Sequence, residues 1–213
     1  MNEVRLVIFT RFPEPGQAKT RLIPALGPEG AAAVHRRLTE RTLQAARQSG
    51  LRIEVHVTGA RAAAFAEWLG DDLRLVAQTD GDLGARLQAA AAPTPVLFVG
   101  SDLPDLTAAH LVEAARQLDA GRTVIGPAED GGYWALGLTG PADYLFSDMP
   151  WSTERVFALT VERLGRHGIE PVLLPTLADC DTPEDLSRWP DLRALPTGGE
   201  AASSGSGLRP RTE

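Results

Sequence analysis

Residues 96–107 read VLFVGSDLPDLT, and the rest of the chain is organised around this stretch. Val96, Leu97, Phe98 and Val99 make the continuous apolar run expected of a strand buried on both faces of a parallel sheet. Gly100-Ser101-Asp102 ends it, and the Leu103-Pro104 that follows cannot continue a central strand, so Asp102 is presented at the strand's carboxyl end. In an open α/β sheet that edge is where ligands bind. A carboxylate there suits Mg²⁺ or Mn²⁺ held against substrate phosphates, because hard oxygen donors match hard cations. The same Asp also suits a plainer role, as a cap for the helix that starts near Thr107 or as the side chain of an Asx-turn.

Outward from this strand, strand-like and helix-like segments alternate. Strands are expected over 4–10, 53–58, 73–77, 123–126, 133–138 and 172–174, of which 133–138 also suits an antiparallel placement. Helices are expected over 28–48, with Pro28 in the first turn and Gly50 after the end, and over 61–69, 84–92, 107–118 and 152–166. Ser152 is read as the N-cap of the last of these, and Thr182-Pro183 as the start of one further helix. Repeated β-α alternation predicts a three-layer α/β/α sandwich with a mostly parallel central sheet. One domain over 1–195 is expected, followed by a tail over 196–213 (PTGGEAASSGSGLRPRTE) too poor in apolar residues to pack.

Composition narrows the function classes. With 213 residues, 43% of them apolar, the chain can bury one sizeable core, and its formal charge of -7 argues against nucleic acid or an anionic membrane as partner. A single cysteine, Cys180, excludes an internal disulfide. The apolar run near the N-terminus is too short for a signal peptide and nothing spans a bilayer, so a cytoplasmic protein is expected. The four histidines, His35, His56, His110 and His167, stand singly without metal-ligand spacing and are assigned no chemistry.

Charge placement adds a second constellation. Of 21 basic residues only Lys19 is lysine, and it lies in the Gly/Pro-rich loop RFPEPGQAKTR between Arg11 and Arg21. A compact ammonium there can approach phosphate oxygens as a point charge. The alternative is a set of solvated charges around a rigid turn. Neither the dinucleotide-binding nor the P-loop pattern is present, which leaves a phosphate-binding loop of another type.

The ordered blocks RFPEPGQAKTRLIPALGPEG, TDGDLGARLQAA, FVGSDLPDLTAAHL, IGPAEDGGYWALGL, MPWSTERVF and DCDTPEDL carry a resemblance. Over about residues 4–190 the chain resembles a broad bacterial family of GT-A glycosyltransferase-like proteins within the nucleotide-diphospho-sugar transferase superfamily. Some members are labelled arsenosugar-biosynthesis glycosyltransferases. More distantly it resembles the 2-phospho-L-lactate guanylyltransferases, in its A-K-T-R-L loop, D-L-P motif, D-G-G turn and final D-x-D-T-P-E-D-L.

This resemblance implies a GT-A fold and a metal-dependent transferase with Mg²⁺ or Mn²⁺ as cofactor. Its partners are a nucleotide sugar or nucleoside triphosphate and a small-molecule acceptor. Arg11, Gly16, Lys19, Arg21, Gln78, Gly81, Gly84 and Asp102 would bind the nucleotide. Asp102 and Asp181 would hold the metal, with Asp179 as a rival for the second position. Asp130 and Lys19 would be catalytic, Asp130 as general base for an acceptor hydroxyl. Gly131, Gly132, Tyr133 and Trp151 would bind the acceptor; where the guanylyltransferases carry a Thr-Asn segment after D-G-G, this chain has Tyr133-Trp134, which points away from phospholactate. Glycosyl transfer is the expected reaction, nucleotidyl transfer the alternative, and a non-catalytic nucleotide-binding module a third reading.

Overall fold

A computed structural model describes residues 4–193; the tail expected over 196–213 lies outside the described residues. The strands are β1 (Arg5–Arg11), β2 (Arg52–Thr58), β3 (Arg74–Ala77), β4 (Val96–Val99), β5 (Val124–Pro127), β6 (Tyr133–Leu138) and β7 (Val172–Leu173). They form one seven-stranded sheet in the order β3-β2-β1-β4-β6-β5-β7. Only β6 runs against the others, antiparallel to both β4 and β5.

Two-residue alternation explains why the sheet is sandwiched. Leu6 and Ile8 of β1 face one side, with Val55 and Val57 of β2 and Leu97 and Val99 of β4. Helices α1 (Ile23–Ser49), α2 (Ala62–Leu69) and α4 (Ala108–Asp119) cover that face through Leu43, Phe65 and Leu111. Val7 and Phe98 point the other way, with Ile125 and Leu136, and are covered by α3 (Leu83–Ala90) and α5 (Val156–Arg166) through Leu87 and Leu164. Each fully buried aliphatic side chain contributes about 2 kcal/mol, which is why a strand as short as β4 is buried along its whole length. The architecture is the three-layer α/β/α sandwich that the sequence predicts.

Three boundaries differ from expectation, each for a local reason. α1 begins at Ile23 but breaks at Gly27 (φ 71, ψ 169), so the long segment does start at Pro28. Ser152 is not the cap of α5: it sits in a turn at φ 63, and the helix begins at Val156 with Arg155 before it. The segment after Thr182 forms two short 3-10 turns, Asp185–Ser187 and Pro190–Leu192, not one α-helix, because Pro190 removes the donor that would continue the first.

Strand order places the site. β1 lies between β2 and β4, so the chain reverses its direction of winding there, and the loops after β1 and β4 open a crevice at their carboxyl ends. The first carries Lys19, the second Asp102.

Candidate active site

Lys19 joins the two loops. Its ammonium lies 2.9 Å from Asp102 Oδ1 and 2.5 Å from Asp181 Oδ1, with 5% of its side chain exposed. Its backbone is left-handed (φ 47, ψ 47), an uncommon conformation for a residue other than glycine, and this turns the chain into the 3-10 turn Thr20–Leu22. Burial alone would lower the lysine's pKa, but Asp102 and Asp181 outweigh it and hold the ammonium above its usual range. Asp102 is affected in the opposite sense: burial would raise its carboxyl, but Lys19 brings it below the usual carboxylate range. Its Oδ1 is enclosed, while 43% of the side chain remains open to solvent.

The C-terminal segment reaches this pair because backbone and core tie it down. The Cys180 amide donates to the Asp102 carbonyl at 3.0 Å, and the Glu129 amide to the Leu177 carbonyl at 3.1 Å. Ala178 and Cys180 are buried in a third cluster with Leu22, Leu38 and Trp189, so Asp179 and Asp181, offset by one, turn towards the crevice. Cys180 is fully buried and its thiol is pushed up to about 11, which makes it a packing residue. Asp185 accepts from the Asp181 and Thr182 amides and the Thr182 hydroxyl, fixing the turn behind Asp181.

Two cavities meet here. The larger, about 580 Å³, is lined on one side by Arg11, Lys19 and Arg21 and on the other by Gln78 and Arg86. The smaller, about 310 Å³, is lined by Asp130, Gly132, Tyr133, Trp151 and Asp179, among others. Asp102 and Asp181 line both. In the smaller cavity Asp179 is half-buried, and burial, then Asp130, then Asp181, push its carboxyl up to about 6. Asp130 sits in the turn between β5 and β6, where its Oδ1 accepts from the Gly132 amide at 2.8 Å. Trp134 is buried with its indole N–H on the Pro175 carbonyl, while Tyr133 is only partly buried.

Not every residue named from sequence lines these cavities. Gly16, Gly81 and Gly84 lie outside the larger one: Gly16 is an exposed turn residue at φ +81, and Gly84 packs against Phe146 and Trp151. Gly131 does not line the smaller one; a Cβ there would meet the Glu154 carbonyl at 2.3 Å, so it lets the loop before α5 pack onto the turn. Sequence reasoning missed His35. His35 is buried in the cleft wall, its Nε2 against the Arg11 carbonyl at 2.9 Å and its Nδ1 4.0 Å from Asp102 Oδ1. Arg86 donates to Gln78 Oε1 at 3.2 Å, while Gln78 Nε2 is taken by the Thr10 and His56 carbonyls. Arg86 ends the segment 78–86 that the resemblance implies lines the nucleobase pocket; for His35 no spacing signal existed.

The donor set fits a divalent cation on chemical grounds. Asp102, Asp130, Asp179 and Asp181, which line the smaller cavity together, are hard oxygen donors. Among the described residues no three His, Cys, Asp or Glu side chains are grouped to hold a metal unaided. An ion in this cleft would therefore share its coordination with substrate oxygens and water.

Residues 42–153 match the model of a family described as uncharacterized proteins conserved in bacteria, DUF2064. The chain belongs to that family. A crystal structure of a protein from Desulfovibrio desulfuricans G20, provisionally named a nucleotide-diphospho-sugar transferase, is 31% identical and superposes with a TM-score of 0.81 over 87% of this chain and 85% of its own. Rv0371C from Mycobacterium tuberculosis H37Rv, crystallised with manganese, is 19% identical, with a TM-score of 0.53 over 88% and 97%. A CMP:2-keto-3-deoxy-manno-octonic acid synthetase complexed with CTP is 14% identical, with a TM-score of 0.51 over 88% and 96%. The last two share the fold alone. No curated protein matches the chain in sequence. Among the described residues no helix is long and apolar enough to cross a membrane.

Proposed function

We propose that this DUF2064 protein is a metal-dependent transferase using a nucleotide-activated donor, and that its reaction is glycosyl transfer from a nucleotide sugar to a small acceptor. The observation that carries this reading is the junction of the two cavities at Asp102 and Asp181, one cavity lined by cations and the other by carboxylates and aromatic rings. Diphosphate oxygens belong with Arg11, Lys19 and Arg21, and the acceptor with Tyr133 and Trp151, whose faces suit a sugar-like or ring-bearing molecule. The relative from Desulfovibrio, by its name, supports the donor class.

Bond cleavage next to a diphosphate leaves negative charge on the departing nucleotide. Lys19 has three ammonium donors, two of them engaged with aspartates, so one remains for a phosphate oxygen. Arg21, 69% exposed and 3.7 Å from Asp181, is free to turn to the same group. Charge placed in advance where it develops favours the transition state over the bound donor. A divalent ion held by Asp102 and Asp181 would supply further positive charge to those oxygens. Asp130 is exposed at the mouth of the second cavity and is assigned as general base for the acceptor hydroxyl.

A second reading, nucleotidyl transfer from a nucleoside triphosphate, is favoured by the three cations on one loop, which match the charge of a triphosphate. The deciding experiment incubates the protein with nucleotide sugars and, separately, nucleoside triphosphates, with Mg²⁺ or Mn²⁺ and a panel of small hydroxylated and phosphorylated acceptors. Release of nucleoside diphosphate from a sugar donor supports glycosyl transfer. Pyrophosphate release from a triphosphate, with no sugar-donor turnover, moves the assignment to nucleotidyl transfer.

A further inference from the structure

Away from the crevice, the sheet register gathers a separate group of charges on the α3 face. Arg5 is the cross-strand partner of Arg52, and Glu54 of Arg74, while Arg52, Glu54 and His56 alternate along one face of β2. They line a cavity of about 270 Å³, closed on one side by the end of α3 and the loop through Pro93.

Arg5 is the scaffold of this cavity. It is 6% exposed, pairs with Glu54 Oε2 at 2.8 Å, and places its other donors on the Ala90 and Pro93 carbonyls, which neutralises the negative end of α3. Arg5 and Glu54 therefore cancel. His56 is buried, and burial holds its ring below the usual pKa against the pull of Glu54, so it is neutral near pH 7. Among the described residues its Nε2 has no hydrogen-bond partner. Arg52 and Arg74 keep their charges: they approach Glu54 Oε1 only to 3.9 and 3.6 Å, with 52% and 60% of their side chains exposed. Among the described residues, neither guanidinium makes a hydrogen bond to the protein.

Two half-exposed guanidinium groups, each only in a long ion pair with Glu54, leave two net positive charges at the mouth of a cavity that Arg5 and Glu54 also line, in a chain whose overall charge is -7. Solvated surface arginines would need neither the cavity nor the buried Arg5 that shapes it. We infer that this pocket binds the phosphate group of a small phosphorylated molecule, with Arg52 and Arg74 as its forked donors. The inference does not depend on the reaction assigned to the crevice, which lies beyond the opposite end of these strands.

The test is a calorimetric titration of the whole chain with inorganic phosphate at constant ionic strength. Three proteins are compared: wild type, the double variant Arg52→Ala/Arg74→Ala, and the double variant Arg11→Ala/Arg21→Ala, which strips exposed cations from the crevice. All four arginines are exposed enough for their removal to leave the fold intact, and melting curves check this. The pocket is supported if wild type binds saturably, the Arg52/Arg74 variant binds at least tenfold more weakly, and the Arg11/Arg21 variant keeps the affinity. No saturable binding to wild type, or a loss confined to the Arg11/Arg21 variant, overturns it.

Discussion

Lys19 is held in a left-handed backbone conformation with its ammonium between two carboxylates. Replacing it by Met leaves Asp102 and Asp181 without their counter-ion. Breaking a fully buried pair costs about 3–5 kcal/mol; because these carboxylates are roughly two-fifths open to water, the expected loss for Lys19→Met is smaller, about 2 kcal/mol, read from denaturant midpoints. Turnover should fall by at least about 100-fold. Asp179 has the opposite signature. Its folded carboxyl is raised to about 6, so the folded state is favoured below the unfolded value near 3.9 and that advantage is lost as pH rises through about 6. Asp179→Asn should therefore be more stable than wild type at about pH 7.5, with the gap closing below about pH 4. Equal stabilities across this range would mean that Asp179 is not in the environment described.

At the scale of elements, the turn between β5 and β6 and the loop before α5 depend on Gly131, at φ +86, with no room for a Cβ beside Glu154. Gly131→Ala is expected to cost about 3 kcal/mol, whereas Gly140→Ala, whose Cβ would meet nothing within 4 Å among the described residues, should stay within about 0.5 kcal/mol. Similar losses at both positions would show that the close packing is not what constrains Gly131. Which elements were readable from sequence follows from what shapes them. β4 announces itself because four apolar residues buried on both faces leave no other reading, and Pro28 and Gly50 mark the ends of the long part of α1. Ser152 looked like a cap because Glu154 and an apolar stripe follow it; the Gly131 carbonyl accepts from the Phe157 amide at 2.9 Å, a tertiary contact that helps set where α5 begins and that local sequence cannot express. His35 was unreadable for a related reason. Its neighbour Asp102 is 67 positions away, and it comes within 4.0 Å only because α1, which carries His35, packs on the sheet where β1 and β4 run side by side.

Across the whole molecule, one sheet edge collects Lys19, Asp102, Asp130, Asp179 and Asp181 from segments after β1, β4, β5 and β7, and two cavities share the two aspartates that Lys19 bridges. Lys19 and Asp102 were read from the loop after the first strand and the carboxyl end of the central one, and Asp130, Asp179 and Asp181 from the family resemblance. Their pairing was not, since Lys19 meets Asp181 across 162 positions. If the shared aspartates organise a metal-bound nucleotide donor, binding must depend on both the ion and Asp102. The most direct measurement is the melting midpoint of wild type and Asp102→Asn with a panel of nucleotide sugars and nucleoside triphosphates, with and without Mg²⁺ or Mn²⁺. A ligand at 100 times its dissociation constant adds about 2.7 kcal/mol of stability, a shift of several degrees for a chain of this size. The account predicts such a shift for one nucleotide class only when the metal is present, and its loss in Asp102→Asn. A wild type that shifts with no nucleotide, or an Asp102→Asn variant that shifts as far as wild type, contradicts it.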